Sequence, residues 1–566
     1  MVFTFLSLLL LHHVFASPQK RVQKYNHIKN QRTYRSIDAP ESFPSHFQTR
    51  ATPQYLTNKT QRFAVDGANL PNVSFDIGES YAGLLPVDNT GKELFFWFVP
   101  TTNTAANDEI VIWLNGGPGC SSLDGFFKEN GPVTWLSGTF QPVPNQYAWT
   151  NLSNMVWIDQ PVGTGYDQGM PNATGEIDVG KQFLPFWRNF MDTFDLHGRK
   201  VYITGESYAG AYVPYIADAM IQQNNTQYFD VNGIMIFDAT VGDSVIANEV
   251  PTLAFIEYNY HVLPLNETFM AYLRNTSAAC GYDDYMKVGM TFPPEGPLPG
   301  DPGLNANQTE FLPGCEIFNT VIEAIFLINP CFNIYQVSQL CPLLWDVLGF
   351  PYSNMYLPPG YPNPYFNMSA VKTALHVPQN TSWDLCSAIS VFPHDDDSPP
   401  SGAPDGPIKR VAEKTNNVVI GHGLLDMVLM ANGTLLTLQN LTWNGKQGFS
   451  SPPATPFYVP YHLEGAQESW AGAGEYGRFV TERGLTFLEV TLSGHMIPQF
   501  QPSAAYRAFE FLLGRVKSLD EISPFSTQPD VKQPNVTLES LGPPIDVPAK
   551  QQNRDSRNNS YIIRST

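Results

Sequence analysis

One serine lies in a sequence that is typical of a catalytic nucleophile. Residues 205–210 read GESYAG, with Ser207 between an acidic residue and a tyrosine and with small residues on both sides. This sequence nearly fits the G-x-S-x-G turn, in which a sharp bend from a strand into a helix exposes the serine hydroxyl. Ala209 replaces the second glycine, where only a small side chain is needed. Turns of this composition are also common where the serine is not catalytic. The rest of the sequence must therefore show whether Ser207 is a nucleophile.

A serine nucleophile of this kind needs an acid and then a histidine, each placed after a later strand. The apolar run 417–420 leads into GHGLLD, which puts Asp426 in the loop after a predicted strand. The run LTFLEVT leads into SGHMIP, which puts His495 after the last predicted strand. The order Ser207, Asp426, His495 therefore predicts acyl transfer, in which the histidine accepts the serine proton and the aspartate orients the imidazole.

Three other histidines have simpler interpretations. His422 follows the strand that should carry the acid, so we interpret it as a packing or pocket residue. His394 lies in HDDDSPPSG, which indicates a solvated loop rather than a metal site because no second ligand cluster accompanies it. His462, in YVPYHLEG, is interpreted as structural. No cysteine or histidine cluster has zinc spacing, so we predict neither a metal nor another cofactor.

A glycine-rich loop follows an early predicted strand. Residues 113–122 read WLNGGPGCSS, and the backbone N–H groups of such a loop can face a ligand. In a serine hydrolase, an early glycine-rich loop and the residue after the nucleophile each supply part of the oxyanion hole, which assigns the N–H donors to Gly117 and Tyr208. A plain turn and a phosphate-binding loop are the alternatives. The second is disfavoured because no Gly-Lys-Ser/Thr follows.

Short apolar runs that alternate with helical segments must position these residues. Several runs are nearly all apolar, as strands buried on both faces of a sheet must be. The predicted strands lie at 93–99, 110–115, 155–159, 201–204, 233–238, 417–420 and 485–491, and the predicted helices at 181–194 and 211–222. This alternation predicts an α/β fold with a central, mostly parallel sheet. Residues from about 248 to 360 break the rhythm, hold four of the six cysteines, and predict an insertion (a cap) over one end of the sheet.

The composition excludes several classes of protein. With 566 residues, 43% of them hydrophobic and 13% aromatic, the chain is predicted to be globular with a large core. The net charge of −20 argues against binding to nucleic acid or to anionic membrane surfaces. No later segment has about 18 uninterrupted apolar residues, so no transmembrane segment is predicted.

The two ends of the chain differ from the middle. Residues 1–16 are predicted to be a secretory signal peptide, because their apolar stretch is too short for a membrane anchor. Residues 17–50 are basic and polar and form either an N-terminal arm or a pro-segment. Residues 526–566 are rich in Pro, Asn, Gln and Ser and are expected to be disordered. This leaves 51–525 as the catalytic domain.

Cysteines and glycosylation sequons favour secretion. An even count of six cysteines predicts three disulfides in an oxidising compartment, with fifteen possible pairings. Fourteen Asn-x-Ser/Thr sequons fit a glycosylated extracellular protein. The candidate acceptors between residues 51 and 525 are Asn58, Asn72, Asn151, Asn172, Asn224, Asn266, Asn275, Asn307, Asn367, Asn380, Asn432 and Asn440.

Four motifs together resemble the serine carboxypeptidase family of α/β-hydrolases. They are WLNGGPGCSS, IDQPVGTGY, GESYAG and SGHMIPQFQP, and the resemblance extends from about residue 61 to residue 516. Within the family the chain looks most like the secreted fungal carboxypeptidases. The family usually has the motif Gly-Asp-x-Asp, which ends in the catalytic aspartate. In this sequence the corresponding residues are Gly423-Leu424-Leu425-Asp426. The resemblance implies an enzyme that removes C-terminal amino acids from peptides and proteins, with an acidic pH optimum.

The resemblance also implies a site for the terminal carboxylate of the substrate, formed by Asn115, Gly116, Glu129 and Glu206. An ionised glutamate accepts hydrogen bonds but cannot donate them, whereas two close glutamates share a proton because one pKa rises. We therefore expect Glu129 and Glu206 to bind the carboxylate at acidic pH and to release it as they ionise. Alternatively, Glu129 is an ordinary solvated helix residue.

Disulfide pairing follows from the same resemblance. It implies that Cys120 pairs with Cys386 and ties the glycine-rich loop to the later half of the sheet. Cys280–Cys341 and Cys315–Cys331 would then be nested inside the insertion. The candidates for lining the substrate pocket, each of which could equally be a core residue, are Tyr166, Met496 and the aromatic residues near Trp135.

Two other functions fit the same motifs. An acyltransferase or esterase on the same fold would use the same serine but a different acceptor or substrate. A catalytically inactive binding protein is disfavoured because Ser207, Asp426 and His495 are all intact. A lipase is disfavoured because the sequence shows no large apolar lid.

Overall fold

The computed structural model describes residues 53–533 except residues 343, 350–363, 465–468 and 471. The predicted signal peptide, the N-terminal arm, most of the predicted C-terminal tail and part of the insertion lie outside the described residues. The domain boundaries expected from the sequence therefore stay predictions.

The centre of the fold is a single sheet, which contains eleven strands among the described residues. They are β1 (Ala64–Val65), β2 (Ser80–Pro86), β3 (Glu93–Val99), β4 (Glu109–Leu114), β5 (Met155–Ile158), β6 (Lys200–Glu206), β7 (Asp230–Phe237), β8 (Val418–Gly423), β9 (Thr455–Val459), β10 (Gly474–Glu482) and β11 (Leu485–Val490).

Six neighbouring strands at the centre of the sheet are parallel. The order across the sheet is β1-β2-β3-β5-β4-β6-β7-β8-β11-β10-β9. The pairs from β5 through β4, β6, β7 and β8 to β11 are all parallel, and the outer pairs are antiparallel. The predicted α/β fold with a mostly parallel sheet is therefore confirmed. Parallel strands end at the same edge of a sheet, so the loops after β6, β7, β8 and β11 are neighbours.

The strands read as apolar runs because the sheet is covered on both faces. In β3, Phe96 and Phe98 pack into one buried cluster, whereas Phe95 and Trp97 pack into a second cluster on the opposite face. Trp97 stacks on Phe126 with ring centroids 3.9 Å apart. Successive side chains of one strand thus pack into two different cores. Such a strand is apolar at every position, whereas a half-exposed strand alternates apolar and polar residues.

Helices cover the sheet and build the insertion. They are α1 (Glu176–Phe194), α2 (Ala209–Gln222), α3 (Thr252–Tyr258), α4 (Glu267–Ala279), α5 (Tyr282–Gly289), α6 (Ile317–Ile328), α7 (Ser369–Ala374), α8 (Pro407–Thr415), α9 (Ala431–Asn440), α10 (Ile497–Phe500) and α11 (Pro502–Leu512). Helices α1, α2 and α8 pack on the face of Phe96, and α11 packs on the other. Among the described residues, no helix combines the length and the apolar character that a membrane span requires.

The insertion contacts the carboxyl edge of the sheet through a short backbone segment. His495 N donates to Tyr335 O at 2.8 Å, and Val337 N donates to Leu425 O at 3.1 Å. Met427 N donates in turn to Ile334 O at 3.0 Å. Residues 334–337 therefore lie against the two loops that carry the predicted acid and histidine.

One of the three implied disulfides is present, and the other two pairings were wrong. Cys120 is bonded to Cys386, which lies in the connection between α7 and α8 rather than in the sheet. The other bridges are Cys280–Cys315 and Cys331–Cys341, and not the nested pairs.

Local packing explains this correction. Cys280 ends α4 and Cys315 precedes α6, and the Cα atoms of the two residues are 5.7 Å apart. Cys331 and Cys341 close a local loop, to which the preceding Asn329 is tied by a hydrogen bond from its Nδ2 to Gln339 O, and their Cα atoms are 5.1 Å apart.

Candidate active site

Ser207 occupies a strained turn between β6 and α2. Its φ of 63° lies in the left-handed region, which a serine rarely adopts and which turns its side chain away from the strand. Its N–H donates to Phe237 O at 2.9 Å, and its carbonyl accepts from Thr240 N at 3.0 Å. These two hydrogen bonds fix the turn to the end of β7, so the neighbouring strand holds the strained conformation.

The glycine-rich loop lies directly against this turn. A Cβ atom at Gly116 would lie 2.3 Å from Tyr208 N and 2.7 Å from Ser207 Cβ, so only glycine allows this approach. Gly117 follows with a φ of 113°, another conformation that favours glycine. The backbone of the two segments that should supply the oxyanion hole is therefore brought together beside Ser207.

His495 and Asp426 form a direct hydrogen bond. His495 Nδ1 lies 2.7 Å from Asp426 Oδ2, and both side chains are buried. Asp426 also accepts from Val428 N at 2.8 Å and from Leu429 N at 3.3 Å. The ring of Tyr335, from the insertion, packs edge-on against the imidazole with the centroids 5.1 Å apart. Because Nδ1 is held by the carboxylate, Nε2 is the nitrogen that is left for a substrate or a nucleophile.

The sheet places all three predicted residues at one edge. Ser207 follows β6, Asp426 lies in the loop after β8, and His495 follows β11. These strands are parallel members of the run β6-β7-β8-β11, so their carboxyl ends meet. The loops after such ends are where α/β sheets bind ligands.

The predicted carboxylate-binding residues form one buried cluster behind the nucleophile. Asn115 Nδ2 donates to Glu206 Oε1 at 2.9 Å and to Glu129 Oε1 at 3.2 Å. Asn115 Oδ1 accepts from Trp113 Nε1 at 2.8 Å, which fixes the orientation of the amide. Glu129, with 2% of its surface exposed, lies on a buried π-helical turn, Gly125–Glu129, so it is not a solvated helix residue.

The two glutamates hold protons in this environment. Burial, and then the negative charge of Glu129, raises the pKa of Glu206 well above its ordinary value. Burial, and then the nearby charge of Asp124, raises the pKa of Glu129 to about 8. An oxygen of each carboxyl group lies within 4.8 Å of an oxygen of the other, and two ionised carboxylates would repel each other strongly at this distance in a buried site. The cluster therefore carries hydrogen-bond donors at acidic and neutral pH.

Comparison with known proteins identifies the family. The family model described as serine carboxypeptidase matches residues 71–515, which is most of the chain. This chain belongs to the serine carboxypeptidase family. The resemblance stated from the four motifs is confirmed, and the enzyme class is that of a serine-type carboxypeptidase.

Two named relatives of this serine carboxypeptidase come from fungi. It is 48% identical over 491 residues to a probable serine carboxypeptidase of Arthroderma benhamiae, a match that covers 84% of this chain and 90% of the relative. It is 43% identical over 483 residues to the serine-type carboxypeptidase F of Aspergillus niger, covering 82% and 89% of the two chains.

A solved structure supports the fold. The crystal structure of a prohormone-processing carboxypeptidase from Saccharomyces cerevisiae superposes with a TM-score of 0.63 at 22% identity. The match covers 81% of this chain and 96% of that chain. At this identity the likeness establishes a shared fold, the α/β-hydrolase fold.

Other histidines of the carboxypeptidase lie where the sequence suggested. His422 is buried on β8, its Nδ1 lies 3.2 Å from Leu429 O, and burial lowers its pKa to about 3. His462 is buried with its Nε2 2.7 Å from the hydroxyl of Tyr147, and His394 is exposed. The three candidate pocket residues Tyr166, Trp135 and Met496 are all buried.

In the part of the carboxypeptidase that the structure describes, two groups of buried side chains bring together atoms of the kind that bind metals. They are Asp238, Asp426 and His495, and Asp124, Glu129 and Glu206, each with its donor atoms within 4.8 Å of one another. In the first group His495 and Asp426 are joined by a hydrogen bond, and in the second Asn115 bridges the two glutamates. These hydrogen bonds account for the close approach.

Sequence reasoning missed two contributors to the active-site region, Asp238 and Tyr335. Asp238 directly follows β7 between the strands that carry Ser207 and Asp426, and it is fully buried. The rule that found Asp426, a polar residue at the end of an apolar strand, would have found it as well. Tyr335 lies in the insertion, whose packing against His495 no local pattern indicates.

Proposed function

We propose that this chain removes C-terminal amino acids from peptides and proteins through an acyl-enzyme on Ser207. The observation that carries the proposal is the buried His495–Asp426 hydrogen bond at the sheet edge that also presents the Ser207 turn. In this mechanism His495 Nε2 accepts the hydroxyl proton as Ser207 Oγ attacks the carbonyl carbon of the last peptide bond. Asp426 holds the imidazole in the required tautomer and stabilises the imidazolium.

Backbone N–H groups stabilise the negative charge that develops during this attack. The carbonyl oxygen becomes an oxyanion, and the N–H groups of Gly117 and Tyr208 are the proposed donors. Tyr208 immediately precedes α2, so its N–H also lies at the positive end of the helix dipole. His495 then donates its proton to the nitrogen of the departing amino acid. Water attacks the acyl-enzyme and releases the shortened peptide.

The buried glutamates supply exopeptidase specificity. A terminal carboxylate needs hydrogen-bond donors, and the protonated pair Glu206 and Glu129 with the amide of Asn115 provides them beside the nucleophile. An internal peptide bond offers no such carboxylate. As the pH rises past the raised pKa values the pair loses its protons and repels the substrate. The proposed enzyme therefore works best on the acidic side of the pH range.

A peptide and its C-terminally amidated twin test this proposal. The wild type should release the last amino acid from the free acid much faster than the amidated residue from the twin, and Ser207→Ala should release neither. Ester hydrolysis or transfer to an added acyl acceptor, without release of amino acids from peptides, would instead identify an esterase or an acyltransferase. No turnover of any of these substrates would favour a binding protein.

We infer that the enzyme is secreted. The supporting features are the predicted signal peptide, the glycosylation sequons and the full use of six cysteines in three disulfides. Expression of the full chain in a eukaryotic host with analysis of the medium tests it. Retention of the protein inside the cell with intact residues 1–16 would contradict it.

A further inference from the structure

Asp238 is a buried carboxyl group that the mechanism above does not use. It follows β7 directly, is fully buried, and its backbone N–H donates to Gly421 O at 2.7 Å. Its Oδ1 accepts a hydrogen bond from Gly423 N at 2.9 Å. Two strands therefore hold this side chain in one orientation, between the loops that carry Ser207 and Asp426.

The carboxyl group of Asp238 lies beside that of Asp426. Among the described residues, Oδ2 of Asp238 is buried and has no N–H or O–H donor. An oxygen of Asp238, an oxygen of Asp426 and a ring nitrogen of His495 all lie within 4.8 Å of one another. Two ionised carboxylates could not share this buried space, so one of them carries a proton.

The contacts of Asp426 decide where the proton resides. Its oxygens already accept from Val428 N, Leu429 N and His495 Nδ1, so Asp426 acts as a hydrogen-bond acceptor toward the groups around it. Asp238 accepts only one such hydrogen bond, from Gly423. Asp238 is thus the partner that holds the proton and donates it toward Asp426.

We propose that Asp238 is a positioning residue, whose protonated carboxyl group donates a hydrogen bond to Asp426 and holds that carboxylate in place for His495. The inference rests on the proposed function, since it assigns Asp426 to the catalytic group. Asp238 does not touch the substrate and acts through Asp426. A neutral donor here fixes the orientation of Asp426 without adding a second negative charge beside the imidazole.

The groups that face Asp238 make this hydrogen bond sensitive to pH. Burial, and then the charge of Asp426, raises the pKa of Asp238 well above its ordinary value. The charge of Glu129 raises it further, and Glu206 belongs to the same electrostatic cluster. His422 Nδ1 lies 3.7 Å from Asp238 Oδ1 but stays neutral, because burial lowers its pKa. The donor is therefore present at acidic pH and is lost as the pH rises and Asp238 ionises.

The test measures how fast an organophosphonate reagent labels Ser207 as the pH is varied. Labelling needs the reactive serine and histidine but not the terminal-carboxylate site, so it does not depend on peptide cleavage. The variants are Asp238→Asn, whose amide can donate the same hydrogen bond at every pH, and Asp238→Ala, which cannot. Because Asp238→Asn creates an Asn-x-Thr glycosylation sequon that ends at Thr240, all variants are made in a bacterial host that attaches no N-linked glycans.

Asp167→Asn is the matched control. Asp167 is likewise buried, with Oδ1 accepting from Phe95 N at 2.9 Å, Oδ2 without a hydrogen-bond donor among the described residues, and a raised pKa. It contacts β3 rather than the loop of Asp426. The control should keep the wild-type labelling profile, including its decline at alkaline pH.

The two Asp238 variants have distinct expected outcomes. Asp238→Ala should label about 10- to 100-fold more slowly than the wild type below neutral pH, because a buried partner is left unpaired. Asp238→Asn should label within about threefold of the wild type and should lose the alkaline decline or shift it to higher pH. An Asp238→Asn profile that keeps the wild-type decline, or an Asp238→Ala rate equal to the wild type, would overturn the proposal. Normal labelling without peptide cleavage would reject the proposed function alone.

Discussion

His495 Nδ1 lies 2.7 Å from Asp426 Oδ2, with both side chains buried under the loop that carries Tyr335. This contact fixes the imidazole tautomer, so Nε2 is available as the base. It also places an ionised carboxylate where a positive charge would develop during catalysis. Each residue of the pair comes from a different strand end, which makes the arrangement a property of the whole sheet rather than of a local motif.

Replacing the aspartate by its amide tests the role of this contact. Asp426→Asn should fold normally but lower kcat by about 10³- to 10⁴-fold, because an amide can stabilise the wrong imidazole tautomer. The measurement is kcat with a free-acid peptide, with the melting temperature as a check on folding. Asp284→Asn, at an exposed aspartate on α5, is the control. A kcat within tenfold of the wild type would show that Asp426 is not the catalytic acid.

The buried glutamates predict a pH dependence of KM rather than of kcat. Both pKa values are raised, that of Glu129 to about 8, so Glu129 holds its proton below that pH and loses it as the pH rises through it. KM for a free-acid peptide should therefore be low at acidic pH and rise as the pH passes about 8. KM for the amidated peptide should be higher and nearly flat.

Two variants show whether the rise in KM comes from Glu129 and Glu206 or from the ionisation of other buried glutamates. Glu206→Gln keeps donor hydrogens at every pH, so the rise in KM should be smaller than in the wild type. Glu489→Gln removes another buried glutamate, one on β11 whose burial raises its pKa to about 8, and should leave the pH profile of KM unchanged. A wild-type KM that stays flat from pH 5 to pH 9 would reject carboxylate recognition by Glu129 and Glu206.

The Cys120–Cys386 bridge should stabilise the site more than the other bridges do. It closes 266 residues, whereas Cys331–Cys341 closes ten. In the chain-entropy model, replacing both cysteines of the long loop by serine should lower the free energy of unfolding by about 2–5 kcal/mol, and replacing the short-loop pair should cost less. Ser121 N and Ser387 N also donate across the long bridge, so its loss should loosen the glycine-rich loop. Denaturant unfolding of both double variants measures the difference, and equal losses would contradict it.

Sequon use should follow exposure and side-chain hydrogen bonding. Asn380 is exposed, whereas Asn367 is half-buried, with Nδ2 donating to Trp383 O at 2.7 Å and Oδ1 accepting from Trp383 N at 2.8 Å. We expect glycans on the exposed sequons and an unmodified Asn367 in the protein from a eukaryotic host. Among the described residues, the exposed acceptors are Asn58, Asn72, Asn172, Asn224, Asn266, Asn275, Asn307 and Asn380. Glycopeptide mass spectrometry measures each site, and full occupancy of Asn367 with an empty Asn380 would contradict this.

Much of the fold could be predicted because the central strands are buried on both faces. The apolar run 93–99 coincides with β3, and every other predicted strand overlaps an observed one. Strands β1, β2, β9 and β10 were missed because they are very short, contain proline or glycine, or have partly exposed residues. Their weaker apolar pattern reflects their positions in the outer, antiparallel part of the sheet.

Long-range packing explains what the sequence could not indicate. The pairing of Cys280 with Cys315 depends on how α4 and α6 pack, and no spacing rule distinguishes it from the nested alternative. The close approach of Asp238 to Asp426 brings together residues that are distant in the chain, through the order of strands in the sheet. By contrast, the glycine-rich loop and the Ser207 turn each carry local backbone requirements, so their sequences identified them.

The most direct test of the central claim is to locate the nucleophile chemically during turnover. Wild-type enzyme that cleaves a free-acid peptide is treated with an organophosphonate reagent, and the modified residue is identified by peptide mass spectrometry. The proposed mechanism predicts a single adduct on Ser207, a loss of peptidase activity in proportion to labelling, and no adduct in His495→Ala. Peptidase activity that persists with Ser207 fully labelled, or that persists in Ser207→Ala, would contradict it.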